Sequence, residues 1–135
     1  MKNKKHILVV DDDIDVLEQL TAVLTGAGHE VVSARGEAQA EQRLTEMKPD
    51  LAIVDVMMEQ QDSGFMLSHQ IKRLYPGTPV IILTSVTSAT GFEFPLGAGG
   101  EDPWVKADRM LQKPVRPEIL RTEVLRLLEA GKARA

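Results

Sequence analysis

Four apolar runs in the chain lack the polar alternation of a strand with one wet face: Ile7-Leu8-Val9-Val10, Leu51-Ala52-Ile53-Val54, Val80-Ile81-Ile82-Leu83 and the shorter Met110-Leu111. Such runs suit strands covered on both faces, so they predict a parallel sheet sandwiched by helices. Val31-Val32 adds a further strand. Between the runs, apolar residues recur at helical spacing. Ile14, Leu17, Leu20 and Leu24 form one stripe, ended by Gly26 or Gly28, and Ala40, Leu44 and Met47 form a second, stopped at Lys48-Pro49. Leu67, Ile71 and Leu74 follow Gly64 and are closed by Tyr75-Pro76-Gly77. Leu120, Val124, Leu127 and Leu128 make the last stripe, with Arg121, Glu123, Arg126 and Glu129 expected to face water. Alternation of strand and helix gives βα repeats with right-handed crossovers: an α/β fold with a doubly wound, five-stranded parallel sheet.

The rhythm breaks over residues 86–108, where a fourth helix would fall. Gly91, Pro95, Gly97, Gly99, Gly100 and Pro103 interrupt the segment, and its apolar residues share no helical face. The fourth helix is therefore expected to be shortened or replaced by a long glycine-rich loop, anchored on the domain by Phe92, Phe94 and Trp104. A loop of that length in a compact domain points to function. No repeat or shift of composition marks a second domain, so residues 1–135 are expected to form one unit with no output domain.

Composition narrows the partners. A chain of 135 residues buries about two thirds of its extended surface and needs no covalent staple. It has no cysteine, which excludes a disulfide framework and the common zinc knuckles and fits a reducing cytosol. A net charge of −4, with no cluster of Lys and Arg, argues against a direct grip on nucleic acid. Met1-Lys2-Asn3-Lys4-Lys5 is basic like the start of a signal peptide, but the apolar stretch behind it is far too short for export. No run reaches the length of a bilayer span. The expectation is a cytoplasmic protein with neither membrane nor direct nucleic-acid partners.

The candidate chemistry lies at one edge of the predicted sheet. Ligands of doubly wound sheets bind beyond the carboxyl ends of the strands. There strand one runs into Asp11-Asp12-Asp13, strand three ends in Asp55, strand four in Thr84-Ser85 and strand five in Gln112-Lys113-Pro114. Gathered carboxylates repel one another and call for a cation. Oxygen ligands without sulfur or imidazole suit Mg²⁺, which takes one or two carboxylates plus a phosphate. Phosphoryl transfer needs an in-line nucleophile and positive charge on the equatorial oxygens. A carboxylate can be that nucleophile, with Lys113 and the metal holding charge and the Thr84 hydroxyl donating to a phosphoryl oxygen. Asp13 has the simpler role of N-cap to the helix starting near Ile14. His6, His29 and His69 are expected to be exposed rather than ligands, because no carboxylate or second histidine stands at ligand spacing.

Five segments in order, "ILVVDDD" at 7 to 13, "PDLAIVDVMM" at 49 to 58, "DSGF" at 62 to 65, "PVIILTS" at 79 to 85 and "KPV" at 113 to 115, resemble the receiver domain of a two-component response regulator. The resemblance covers nearly the whole chain. It implies the flavodoxin-like strand order 2-1-3-4-5 and, residue by residue, a phosphoacceptor at Asp55. Asp12 and Asp55 would touch Mg²⁺ directly, with the backbone carbonyl of Met57 as a third ligand and Asp11 acting mostly through water. Thr84 would swing toward the phosphoryl group and Lys113 would pair with it. The implied partners are a sensor histidine kinase or phosphotransfer protein and a downstream protein target. The only implied catalysis is assistance to its own phosphorylation and aspartyl-phosphate hydrolysis.

Departures from the family pattern sharpen these expectations. Glu59-Gln60-Gln61 stands where proline is usual, and Gly64 comes one position late, so the loop after strand three is expected to be reshaped. Met110 replaces the customary aromatic three residues before Lys113. Loss of the fourth helix, whose face commonly carries dimerisation, leaves a monomer or weak homodimer as the expected state. A competing expectation is a phosphorylation-independent interaction module (a pseudo-receiver). A hydrolase with an aspartyl-phosphate intermediate is disfavoured, because Asp55-Val56-Met57 lacks the usual second acid and the chain has no room for a cap domain.

Overall fold

The computed structural model describes residues 5–55, 63–84, 109–112 and 115–134. Five strands and four helices are assigned among them: β1 His6–Val10, α1 Ile14–Gly26, β2 Glu30–Ala34, α2 Glu37–Glu46, β3 Leu51–Asp55, α3 Ser63–Leu74, β4 Val80–Thr84, β5 Arg109–Gln112 and α4 Pro117–Arg134. The strands form one sheet in the order β2-β1-β3-β4-β5, all pairs parallel. Four five-residue strands carry the order 2-1-3-4, and β5, four residues long, extends it along β4 from Ile81↔Arg109 to Thr84↔Gln112.

The apolar runs are continuous because each face of the sheet is covered. Ile7, Val9, Leu51, Ile53, Ile81 and Leu83 point to one side, where they pack with Leu17, Leu20 and Leu24 of α1 and Leu120, Val124, Leu127 and Leu128 of α4. Leu8, Val10, Ala52, Val54, Val80 and Ile82 point to the other, against Ala40 and Leu44 of α2 and Leu67 and Ile71 of α3. Successive strand residues alternate between the two cores, as the period of a strand requires. Val31 and Val32 of β2 divide in the same way and are only partly buried.

The helix ends follow local chemistry. Asp13 caps α1, its carboxylate accepting from the N–H groups of Asp15 at 2.9 Å and Val16 at 3.5 Å. α1 ends at Gly26, and Gly28 then takes φ +97°, a left-handed conformation open to glycine, as the chain turns into β2. At the opposite end of the domain, the Tyr75 hydroxyl donates to the Leu44 carbonyl at 2.9 Å, tying the end of α3 to α2.

Two stripe residues and one charged residue depart from expectation. Ile14 is 48% exposed and Leu74 50%, and each stands at a helix terminus, Ile14 the first residue of α1 and Leu74 the last of α3. Glu123, expected to face water, has a side chain only 16% exposed and accepts from Arg109 Nε at 2.8 Å, linking α4 to the edge strand. The expected glycine-rich replacement of a helix over residues 86–108, with its anchors Phe92, Phe94 and Trp104, lies outside the described residues. So does the expected reshaping of the loop between β3 and α3.

Candidate metal centre

α1 and α4 cover one face of the sheet and α2 and α3 the other, so the chain changes face between β1 and β3. That change is the topological switch point, where diverging connections leave a crevice at the carboxyl ends of the strands. The register pairs Val10 with Val54, which sets Asp11 and Asp55, the next residues of each strand, side by side at that crevice. Carboxylate oxygens of Asp11, Asp12 and Asp55 all lie within 4.8 Å of one another. Asp11 is fully buried, Asp55 is 4% exposed, and Asp12 is exposed.

Local bonds hold the group. The Asp11 N–H donates to the Ala34 carbonyl at 3.1 Å, and Asp11 Oδ1 accepts the Asp13 N–H at 2.9 Å. The second bond is an Asx-type turn, the ordinary consequence of an aspartate two residues before a helix cap. The sequence reading missed this duty of Asp13; the Asp-x-Asp spacing ahead of an apolar helical stripe was its signal.

The donor set is chemically suited to a hard divalent ion. It offers only carboxylate oxygens, two of them on buried side chains and one on an exposed side chain. Oxygens that all lie within 4.8 Å of one another are gathered closely enough to converge on one cation, and none of the group is a nitrogen or sulfur that would favour a softer metal. Among the described residues no other group of three His, Cys, Asp or Glu side chains comes together in this way.

The remaining expected site residues divide. Thr84 ends β4, and the neighbouring register Asp55↔Leu83 puts it one residue beyond the level of Asp55 on the adjacent strand. Lys113 and Met57 lie outside the described residues. His6 is at the opposite edge of the sheet, with Nε2 3.7 Å from Glu30 and Nδ1 3.7 Å from Asp50. Spacing along the chain showed no such partners; parallel pairing of β2 and β3 to β1 brings them together. His29 is partly buried, and desolvation lowers its pKa from 6.5.

Comparison with known proteins agrees with this arrangement. The response regulator receiver domain family matches the chain over residues 7–125. The transcriptional regulatory protein GlrR of Escherichia coli is 42% identical over 80 residues, covering 59% of this chain and 18% of GlrR. The DNA-binding response regulator MtrA of Mycolicibacterium paratuberculosis is 30% identical over 117 residues, 87% of this chain and 48% of MtrA. The chain thus spans less than half the length of either relative. A crystal structure of a CheY-like response regulator receiver domain protein from Methanospirillum hungatei superposes with a TM-score of 0.81 at 27% identity, covering 98% of this chain and all of that one. An acidic group at the switch point of a 2-1-3-4-5 sheet and a family match along most of its length lead to one conclusion: the chain belongs to the receiver domains of two-component response regulators.

Proposed function

We propose that Asp55 accepts a phosphoryl group from a histidine of a sensor kinase or phosphotransfer protein, and that the modified domain presents an altered face to a downstream protein. The observation that carries this reading is the convergence of the Asp11, Asp12 and Asp55 carboxylates within 4.8 Å at the sheet edge. In the transfer, an Asp55 carboxylate oxygen bonds to phosphorus as the phosphorus–nitrogen bond to the donor imidazole breaks, and the electron pair leaves with the imidazole. Mg²⁺, held by Asp12, Asp55 and the Met57 carbonyl, with Asp11 acting mostly through water, would supply positive charge to the phosphoryl oxygens. Asp55 is only 4% exposed and Asp12 is exposed, so Asp12 is the member of the group that meets solvent. Thr84 would donate to a phosphoryl oxygen and Lys113 would pair with another.

In this reading the domain acts in the cytoplasm as a monomer or weak homodimer. It is not an enzyme on a separate substrate, assisting only its own phosphorylation and dephosphorylation. DNA binding by MtrA belongs to a protein of which this chain covers 48%. The proposal therefore assigns these residues the phosphoacceptor step and a protein-binding face, without direct contact to nucleic acid or membrane.

Incubation with acetyl phosphate or a cognate phosphorylated kinase in Mg²⁺, followed by intact-mass measurement, tests the reading. The wild type should gain one phosphate, and Asp55→Asn should gain none. A wild type that stays unlabelled by both donors refutes the proposal. The second reading, a phosphorylation-independent interaction module, draws on Glu59-Gln60-Gln61 and Met110 at positions where the family pattern differs. Complete absence of labelling together with undiminished partner binding by Asp55→Asn would favour it.

A further inference from the structure

We infer that Asp13, which is not among the three clustered carboxylates, is a positioning residue for the metal centre: by capping α1 it fixes the backbone N–H that holds Asp11. The inference rests on the reading that Asp11, Asp12 and Asp55 bind Mg²⁺. Two sets of bonds meet at this one residue. Asp13 Oδ1 accepts from Asp15 N–H at 2.9 Å and Val16 N–H at 3.5 Å, and the Asp13 carbonyl accepts from Leu17 N–H at 3.1 Å. Its own N–H donates to Asp11 Oδ1 at 2.9 Å. Residue 13 sits at φ −93° and ψ 112°, the extended conformation of an N-cap, so the helix is tied to the peptide group whose N–H donates to Asp11.

The capping bonds therefore hold residue 13 from the helix side while its N–H holds Asp11. Without an acceptor at position 13 the first turn of α1 frays, the peptide group carrying the residue 13 N–H loses its anchor on the helix, and the bond that orients the Asp11 carboxylate is weakened. Ligands ordered only on binding hold a metal less tightly than ligands ordered beforehand. Asp13 acts here through the place of its oxygen, not its charge. Asparagine offers the same oxygen at the same reach; glutamine, also neutral, carries it one methylene too far.

Mg²⁺ titration of the full chain followed by ¹H–¹⁵N NMR separates the possibilities. Asp13→Ala and Asp13→Gln should each weaken Mg²⁺ affinity about tenfold, the low end for loss of a bond behind a metal ligand. Asp13→Asn should stay within about twofold of the wild type, since asparagine caps as well as aspartate. In the metal-free protein, the residue 13 amide should exchange faster in the Ala and Gln variants alone. Tyr75→Phe, which removes the hydrogen bond to Leu44 on the far side of the domain, should leave affinity unchanged and controls for general loosening. Affinity in Asp13→Asn as weak as in Asp13→Gln would assign the effect to charge and overturn the inference. Unchanged affinity in Asp13→Ala or Asp13→Gln would overturn it as well. Failure of the wild type to bind Mg²⁺ at all would instead remove the functional reading beneath it, and the inference with it.

Discussion

Replacing Asp12 by asparagine is expected to stabilise the metal-free protein and to weaken its response to Mg²⁺. With the oxygens of Asp11, Asp12 and Asp55 within 4.8 Å, each like-charge pair costs about 0.9 kcal/mol at the dielectric constant of water and about 3.5 kcal/mol at an effective value of about 20. Asp12 is exposed, so the water value governs, and its two pairs sum to roughly 2 kcal/mol. In a domain of this size 1 kcal/mol shifts Tm by about 3–5 °C, so the variant should melt about 6–10 °C above the wild type in EDTA at low salt. At about 0.15 M salt the screening length is near 8 Å and roughly half the difference should survive. Mg²⁺ at 100 times its Kd stabilises the wild type by about 2.7 kcal/mol, whereas a variant short of one ligand gains less. The two melting curves should therefore exchange order as Mg²⁺ is added. Differential scanning calorimetry across the titration reads both effects. An Asp12→Asn protein melting at or below the wild type in EDTA would refute the electrostatic reasoning.

Other outcomes follow from the packing. Desolvation lowers the pKa of His29 from 6.5, so the unfolded chain takes up a proton there before the folded one does. Its contribution to stability is full above pH 6.5 and is lost as pH falls through the lower folded value; urea unfolding at pH 5.5 and 7.5 should show a smaller difference in His29→Gln than in the wild type. Leu24→Ala removes a fully buried side chain between α1 and the sheet and should cost about 2–5 kcal/mol by urea denaturation; a cost under about 1 kcal/mol would contradict the packing described. Arg109→Ala breaks the 2.8 Å bond to Glu123, but the arginine is 44% exposed, so the loss should be about 0.5–1 kcal/mol, with faster amide exchange in β5 as its local signature.

The strands and helices were legible in the sequence because burial leaves a period. Ile7-Leu8-Val9-Val10 is apolar without interruption because its residues enter two different cores in turn, and Leu17, Leu20 and Leu24 recur at helical spacing because one face of α1 meets the sheet. The start of the α1 stripe was not legible: Ile14, the first residue of the helix, is 48% exposed, whereas Leu24 at the other end is buried as expected. The acidic residues of the site were visible as types, and the family resemblance supplied their roles. Their convergence at one sheet edge was expected from the strand ends and from the strand order the resemblance implies; its closeness was not, because Asp55 comes within 4.8 Å of Asp11 and Asp12 through the register of β1 against β3.

The chain alone thus determined which segments are buried and which carboxylates stand at strand ends, since both are properties of single segments. Tertiary structure decided what meets what: the Asp11–Asp12–Asp55 group, the Asp13 N–H on Asp11, His6 between Glu30 and Asp50, and Glu123 against Arg109. Hydrophobic periodicity reports only that a residue leaves water, whereas a bond or a shared cation needs two groups at a fixed separation, and strand register with helix crossover sets that separation.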